Sequence, residues 1–215
     1  MSARKTKIDL WAENKELFTP SAKVPSLVKV PAFAYIMVDG SGDPNTSAGF
    51  RDAIGALYGA AYTLKFMLKK HSGIDFRVMP LSGRFHTDQP LELLPGNKNE
   101  WKWTLMIPLP SLVRQADFVK AVAEAGAKKH ASPALPLLRR EILKEGLCAQ
   151  ILHKGPYADE KPTIEKLHAF IREEGLTFAG SHHEIYLSDP NRSAPEKMKT
   201  IVRQPVKKAE ATGSR

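Results

Sequence analysis

The chain has 215 residues, of which 42% are hydrophobic and 26% charged, a balance that excludes a disordered or fibrous protein. No apolar run approaches the roughly 18 residues that cross a bilayer, and no apolar segment follows the basic start Met1–Lys5. The net charge of +9 suggests a nucleic-acid partner, but several lysine pairs lie at predicted helix ends and in the tails, and no DNA- or RNA-binding motif is present. We therefore predict no membrane contact and no specific nucleic-acid partner.

Residues 1–22 are polar and mixed, and we expect them to form a loose arm that Trp11 or Phe18 docks onto the protein. The next segment, Leu27–Val38, is rich in valine, isoleucine and aromatic residues, which predicts a strand. The turn-forming segment Gly40–Asn45 ends it.

A long helix is predicted next, with Thr46 or Ser47 as its N-cap and an end near Lys70. Its apolar residues recur at helical spacing. Two strands follow, near Phe76–Phe85 and Trp101–Pro108, and a polar loop with Pro90, Pro95 and Gly96 joins them.

The second half repeats this order after a connecting helix near Ser111–Lys129. A strand, a helix and two more strands are predicted, near Glu145–His153, Asp159–Glu174, His183–Ser188 and Thr200–Gln204. Pro162 in the first turn of the helix and Gly175 at its end are typical of helix termini.

The order strand-helix-strand-strand, written twice, predicts an α+β fold of two duplicated halves. Each half leaves one face open, so we expect the halves to pair about a pseudo-twofold axis with a ligand cleft between them. The predicted boundaries are 23–110 for the first half, 111–130 for the connecting helix and 138–206 for the second half. The arm 1–22 and the tail 207–215 lie outside this domain.

The strand His182–Ser188 carries a candidate site. Strand alternation puts His182, Glu184 and Tyr186 on one face, with Ile185 and Leu187 on the other, where we expect helices to pack. A buried carboxylate there would need a cationic partner or would take up a proton. On spacing alone, a solvent-facing Glu184 is slightly favoured.

Aromatic residues form two more candidate groups. Trp101 and Trp103 share one face of their strand, and Tyr58, Tyr62 and Phe66 form a row on the first helix. Both patterns are more typical of core packing than of a binding surface. Two tyrosine hydroxyls in one row still need hydrogen-bond partners, which a ligand cavity would supply.

Metal, cofactor and nucleophile signals are weak. The adjacent His182 and His183 face opposite ways in a strand, and the remaining histidines lack ligand spacing, so we predict no metal site. Gly40-Ser41-Gly42 lacks the third glycine and the lysine of a nucleotide-binding loop, and no cofactor is predicted. Cys148, the single cysteine, excludes an intrachain disulfide and is typical of a reducing, cytoplasmic compartment.

Six segments carry a family resemblance: Asp39–Asn45, Ala56–Phe66, Trp101–Thr104, Glu145–Tyr157, His182–Pro190 and Thr200–Val206. They resemble the stand-alone GyrI-like small-molecule-binding proteins, and the resemblance covers about residues 22–206. It implies a duplicated, SHS2-like fold whose cleft accepts amphipathic, often cationic or polycyclic aromatic molecules. Some stand-alone members resemble hydrolases that open the cyclopropane of DNA-alkylating cyclopropanoid antibiotics.

The resemblance also implies roles for individual residues. The family's cleft carboxylate falls on Glu184 and the neighbouring aromatic residue on Tyr186, which reverses the preference drawn from spacing. Ligand-binding positions fall on Tyr58, Tyr62, Trp101 and Trp103, and His182 flanks the carboxylate. One departure is Arg84-Phe85-His86 after Pro80-Leu81-Ser82-Gly83, where relatives often carry two tryptophans. Phe85 and His86 would then line the site and shift its ligand preference.

Two hypotheses follow for the function. In the first, Glu184 is the general base on a water that opens a cyclopropane, and a tyrosine hydroxyl hydrogen-bonds the conjugated carbonyl. In the second, the same carboxylate neutralises a cationic ligand that the aromatic residues stack on, and the protein sequesters or senses it without turnover. Both use the same residues, so the sequence leaves both open. A third, an adaptor acting on protein or DNA, has only the net charge in its favour.

Overall fold

A computed structural model describes residues 6–86 and 98–209 of the chain. The predicted loop with Pro90, Pro95 and Gly96 and both ends of the chain lie outside these residues. The fold is mixed α+β, as predicted, and the chain divides into two compact units. Unit 1 comprises residues 1–14 and 32–143, and unit 2 comprises residues 15–31 and 144–215.

In chain order the described residues form β1 (Thr6–Ile8), α1 (Leu10–Glu13), α2 (Lys15–Phe18), β2 (Ser26–Ser41), α3 (Ala48–Ser72), β3 (Ile74–Phe76), β4 (Ser82–His86), β5 (Lys102–Leu109), α4 (Gln115–Gly126), β6 (Arg139–Lys154), α5 (Lys161–Glu173), β7 (Leu176–Phe178), β8 (His182–Tyr186) and β9 (Lys199–Lys208). No helix among them is both long and apolar enough to span a bilayer.

Unit 1 contains an antiparallel sheet in the order β2-β5-β4. Its register pairs Gly40 with Trp103 and Trp103 with Phe85, so these residues share one face of the sheet. Helix α3 packs on this face, where the Phe50 ring meets the Trp103 ring edge-on at 5.0 Å.

Helix α3 begins at one of the two predicted N-caps and ends at Ser72, two residues beyond the predicted Lys70. The hydroxyl of Ser47 accepts a hydrogen bond from the Phe50 amide at 3.3 Å, which identifies Ser47 as the N-cap. Gly73 closes the other end with φ of +65°, a left-handed conformation that favours glycine.

The strand predicted over Phe76–Phe85 is wrong in its extent. The structure has two strands instead, β3 and β4, separated by residues 77–81. Pro80 lies in this gap and has no amide hydrogen to donate to a neighbouring strand. The predicted connecting helix is also shorter, and Asp117 accepts a hydrogen bond from the Arg114 amide at its start.

The expectation of a loose arm is wrong for residues 6–18. In unit 1, β1 pairs with β3 in parallel, and Arg77 lies over the Trp11 ring at 4.6 Å. In unit 2, Leu17 and Phe18 are buried. These contacts order the segment. They could not be predicted, because the partners of its few apolar side chains are distant in the sequence.

Unit 2 contains an antiparallel sheet in the order β6-β9-β8, and β7 adds to the end of β9. Helix α5 packs Leu167 and Ile171 against Ile151 and Val202 of the sheet. Val202 pairs with Glu184, so α5 covers the face that carries Glu184. The prediction that Ile185 and Leu187 face the helix is therefore wrong.

The opposite face of this sheet holds a buried polar network. His183 Nδ1 lies 2.9 Å from Glu145 Oε1, and Arg203 Nη1 lies 3.5 Å from Glu145 Oε2. The Arg203 guanidinium also donates to Gln150 and to the Leu17 carbonyl, at 2.9 and 2.6 Å. This network ties α2 to β9 and uses His183 as a structural partner.

Candidate functional site

The Glu184 carboxylate lies between two donors on its own strand. Tyr186 donates its hydroxyl hydrogen to Glu184 Oε2 at 2.9 Å, and His182 Nε2 lies 3.1 Å from Oε1. Only 13% of the Glu184 side chain is exposed, so the solvent-facing alternative is wrong. The alternation of β8 thus brings three predicted site residues together, as expected.

Tyr186 remains a hydrogen-bond donor in this position. Burial and the negative charge of Glu184 raise the pKa of its hydroxyl well above the usual value. The phenol therefore stays protonated at neutral pH. Tyr157 packs edge-on against it, with ring centroids 5.5 Å apart, and is partly open to solvent.

A second carboxyl group, Glu160, belongs to the same cluster. It occupies the N-cap position of α5 without a side-chain capping bond, is 4% exposed, and lies beside Glu184. Burial, and next the charge of Glu184, raise the pKa of Glu160 to about 9. Two carboxyl groups in contact cannot both be ionised at low cost, so Glu160 carries a proton at neutral pH.

We call Glu160, His182, Glu184 and Tyr186 the Glu184 cluster. It combines a carboxylate that can accept a proton with a neutral carboxylic acid that can donate one. Glu160 Oε1 is buried and has no hydrogen-bond partner among the described residues. A buried polar atom of this kind is normally satisfied by a water or a ligand.

Sequence reasoning missed Glu160. An acidic residue just before a helix is ordinarily explained by the positive end of the helix dipole, so Glu160 gave no separate signal. Its burial depends on the packing of α5 on the sheet.

The histidines of unit 2 divide into separate roles. His168 packs on Phe178 with ring centroids 4.6 Å apart, and burial, with the neighbouring His182, lowers the pKa of His168 to about 4. It is therefore neutral at physiological pH. Across the described parts of the chain, no three His, Cys, Asp or Glu side chains are grouped to hold a metal ion.

Cys148 is fully buried in β6, where burial raises the pKa of its thiol to about 12. The thiolate that nucleophilic chemistry requires is therefore scarce at neutral pH.

Trp103 belongs to the core of unit 1. It is 3% exposed, its indole Nε1 donates to the Gly42 carbonyl at 3.2 Å, and its ring lies flat against the space beside Gly40. These contacts agree with core packing, which the spacing of Trp101 and Trp103 along the strand had favoured.

Trp101 is more open and lies just before β5. Its ring meets Phe85 edge-on at 5.5 Å, and the Lys98 ammonium lies 5.4 Å from the ring centroid. Phe85 itself is 3% exposed, so Trp101 is the accessible member of this aromatic pair.

The aromatic row on α3 is not core, contrary to the default interpretation. Tyr58 and Tyr62 stack with centroids 6.2 Å apart, and Tyr62 and Phe66 stack at 6.4 Å. Tyr62 is 47% exposed and Phe66 59%. The helical spacing placed the three rings in one row, but the row lies on the outer part of the helix.

His86 lies on the face of the unit 1 sheet that α3 does not cover. Its Nε2 is 3.1 Å from Thr104 Oγ1, and Thr104 donates to Asp39 at 2.6 Å. Burial and the nearby Arg84 charge lower the pKa of His86, so the ring is neutral at physiological pH. His86 and Phe85 therefore belong to opposite faces of β4.

The family model of the GyrI-like small molecule binding domain matches residues 23–207. Three solved structures from Listeria innocua each align over their full length, 100%, with this chain. An uncharacterized conserved protein is 35% identical over 93% of this chain, with a TM-score of 0.84. Two structures described as hydrolases are 34% and 33% identical over 93% and 94% of it, with TM-scores of 0.81 and 0.82.

A comparison with curated proteins gave no significant match. The family model nevertheless spans most of the chain, and the Listeria innocua structures agree with it over nearly the same length. The chain therefore belongs to the family of GyrI-like small-molecule-binding domains.

Proposed function

We propose that the protein binds planar, amphipathic aromatic molecules and hydrolyses the cyclopropane ring of cyclopropanoid genotoxins. The observation that carries the proposal is the presence of two largely buried carboxyl groups, Glu160 and Glu184, in one cluster, where burial and the charge of Glu184 raise the pKa of Glu160. Such a pair supplies an acid and a base at the same pH. The hydrolase descriptions of two similar Listeria innocua structures add support.

The proposed reaction adds one water across a strained carbon–carbon bond. Glu184 takes a proton from the water as its oxygen bonds to the cyclopropane methylene carbon. The ring bond breaks, and its electron pair moves into the conjugated carbonyl, which receives the proton of Glu160. Acid–base assistance of this kind contributes ~10²–10⁴ in rate, which suffices for an activated, strained ring.

Tyr186 and His182 act on Glu184 in this scheme rather than on the ring. Their hydrogen bonds hold the two carboxylate oxygens of Glu184 in place. The partly exposed Tyr157 offers an aromatic contact for the ligand next to the cluster.

A sequestering or sensing role is the second candidate. The same carboxylate would then neutralise a cationic ligand, and aromatic rings would stack on its planar body. The open rings of Tyr62 and Trp101 favour this candidate, since they offer aromatic surface for stacking.

Turnover distinguishes the two candidates. Protein is mixed with a twentyfold molar excess of a cyclopropanoid, and the ring-opened product is measured by mass spectrometry. An enzyme converts all of the ligand, whereas a sequestering protein leaves the excess unchanged. Product formed at or below one equivalent would contradict the hydrolase.

The proposed ligand contacts in unit 1 are the more open Tyr58, Tyr62, His86 and Trp101, with the buried Phe85 and Trp103 behind them. Trp101 is the sharpest test because its ring is accessible, and Trp101→Ala should weaken binding of a planar dye by about 1–3 kcal/mol. Phe85 is nearly fully buried and is expected to act by holding Trp101 in place through the edge-on contact of their rings. If a folded Trp101→Ala protein binds the dye as tightly as wild type, Trp101 does not contact the ligand.

We also infer that the fold arose by internal duplication. The order β-α-β-β occurs as β2-α3-β4-β5 and again as β6-α5-β8-β9, and in both sheets the last strand lies in the middle. The pseudo-twofold axis and the cleft stay predictions, as do the domain boundaries and the cytoplasmic location.

A further inference from the structure

Arg84 lies at one end of a polar row on the unit 1 sheet. The register aligns it with Thr104 on β5, and Thr104 with Asp39 on β2. Residues paired across antiparallel strands point to the same face, which here is the face that α3 does not cover. His86 follows two residues later on the same face.

The carboxylate in this row is already neutralised by another arginine. Asp39 accepts hydrogen bonds from Arg139 at 2.7 and 3.1 Å, and from Thr104 at 2.6 Å. Burial opposes ionisation, but these contacts outweigh it and keep the pKa of Asp39 below its usual value. The Thr104 hydroxyl in turn has Asp39 and His86 as partners. Both Asp39 and Thr104 therefore have partners other than Arg84.

Arg84 is partly buried, and its Nε is fully buried without a hydrogen-bond partner in the parts of the chain described. A guanidinium carries five donors and keeps its charge in any protein environment. Leaving such a group partly desolvated and unpaired costs free energy that a bound acceptor would recover.

We propose that Arg84 binds a negatively charged oxygen group, such as a carboxylate or sulfonate, on the aromatic ligands of this protein. This assignment rests on the proposed small-molecule binding and adds a preference for acidic ligands in unit 1. The planar guanidinium fork matches an oxyanion with two parallel hydrogen bonds.

Two fluorescent probes of nearly the same shape test the assignment. 8-Anilinonaphthalene-1-sulfonate carries a sulfonate, and N-phenyl-1-naphthylamine is the same ring system without it. Their dissociation constants are measured with wild type, Arg84→Gln and Arg84→Lys. The control is Arg51→Gln, which removes an equal charge from the exposed surface of α3.

Arg84→Gln should weaken sulfonate binding about tenfold or more, as expected for a lost charge-assisted hydrogen bond, and leave the neutral probe within about twofold. The sulfonate affinity of Arg84→Lys should lie between those of wild type and Arg84→Gln, because lysine keeps the charge but lacks the planar guanidinium. Arg51→Gln should match wild type for both probes.

Equal effects of Arg84→Gln on both probes, or no effect on either, would overturn the assignment and leave small-molecule binding intact. Failure of wild type to bind the sulfonate while it binds the neutral probe would also overturn it. Failure to bind either probe would contradict the proposed binding function as well.

Discussion

Glu160 illustrates how a residue with a proposed catalytic role can weaken the fold that holds it. In the unfolded chain its carboxyl group ionises near its ordinary pKa of 4.5, whereas burial beside Glu184 raises the folded value to about 9. The folded protein therefore binds more protons between these values, and stability falls as pH rises through that window. Below the lower value both states are protonated and the penalty disappears.

Glu160→Gln should remove this penalty. We expect the variant to be about 1–3 kcal/mol more stable than wild type at pH 8 and equally stable near pH 4. Urea unfolding at both pH values measures the difference, with Glu165→Gln on the exposed side of α5 as the control. A variant less stable than wild type at pH 8 would mean that Glu160 is ionised in the folded protein.

The sequence and the family resemblance could predict part of the candidate site. Strand alternation placed His182, Glu184 and Tyr186 on one face, and these three do form a cluster. The alternation of side chains along a strand does not indicate which residues of a neighbouring helix cover that face. Glu160 and Tyr157 were therefore not predicted as members of the site. The exposure of Tyr62 could not be predicted either, since a row of rings on a helix has the same spacing inside and outside a core.

At the scale of elements, the contact of β2 with β5 depends on one glycine. A Cβ atom on Gly40 would overlap the Trp103 ring, whose indole is held by Gly42 and Phe50. Gly40 thus lets the two strands keep their register with a tryptophan between sheet and helix.

A double-mutant cycle tests this packing. Gly40→Ala should destabilise the protein by about 1–3 kcal/mol through overlap, and Trp103→Ala by about 3–5 kcal/mol through the cavity it leaves. In the Trp103→Ala background the Gly40→Ala change should cost much less, because the overlapping ring is gone. Additive effects in urea unfolding would show that the two residues are not in contact.

Long elements with clear ends were predicted best. Ser47 and Gly73 fix the limits of α3, and Pro162 and Gly175 mark those of α5, because capping depends on local chemistry. The three-residue strands β1, β3 and β7 were missed, since so short a segment carries no periodic pattern. They exist because pairing with a distant strand satisfies their backbone groups.

At the scale of the whole molecule, the net charge of +9 has a testable consequence. With attraction to phosphates as the main force, DNA binding should be weak, independent of sequence and steeply dependent on salt. Fluorescence anisotropy of two unrelated duplexes at about 50 and about 200 mM salt measures this, and affinity should fall for both alike. Tight binding of one duplex at the higher salt would contradict the small-molecule function.

The most direct test of the account is Glu184→Gln in the turnover experiment. The change preserves the shape of the side chain while it removes both the charge and the base. Glu196→Gln, on an exposed turn, is the matched control. Cyclopropanoid turnover should fall ~10²-fold or more, while the affinity for a neutral aromatic ligand stays within about twofold. A Glu184→Gln protein that turns over the cyclopropanoid as fast as wild type would contradict the central role of this carboxylate.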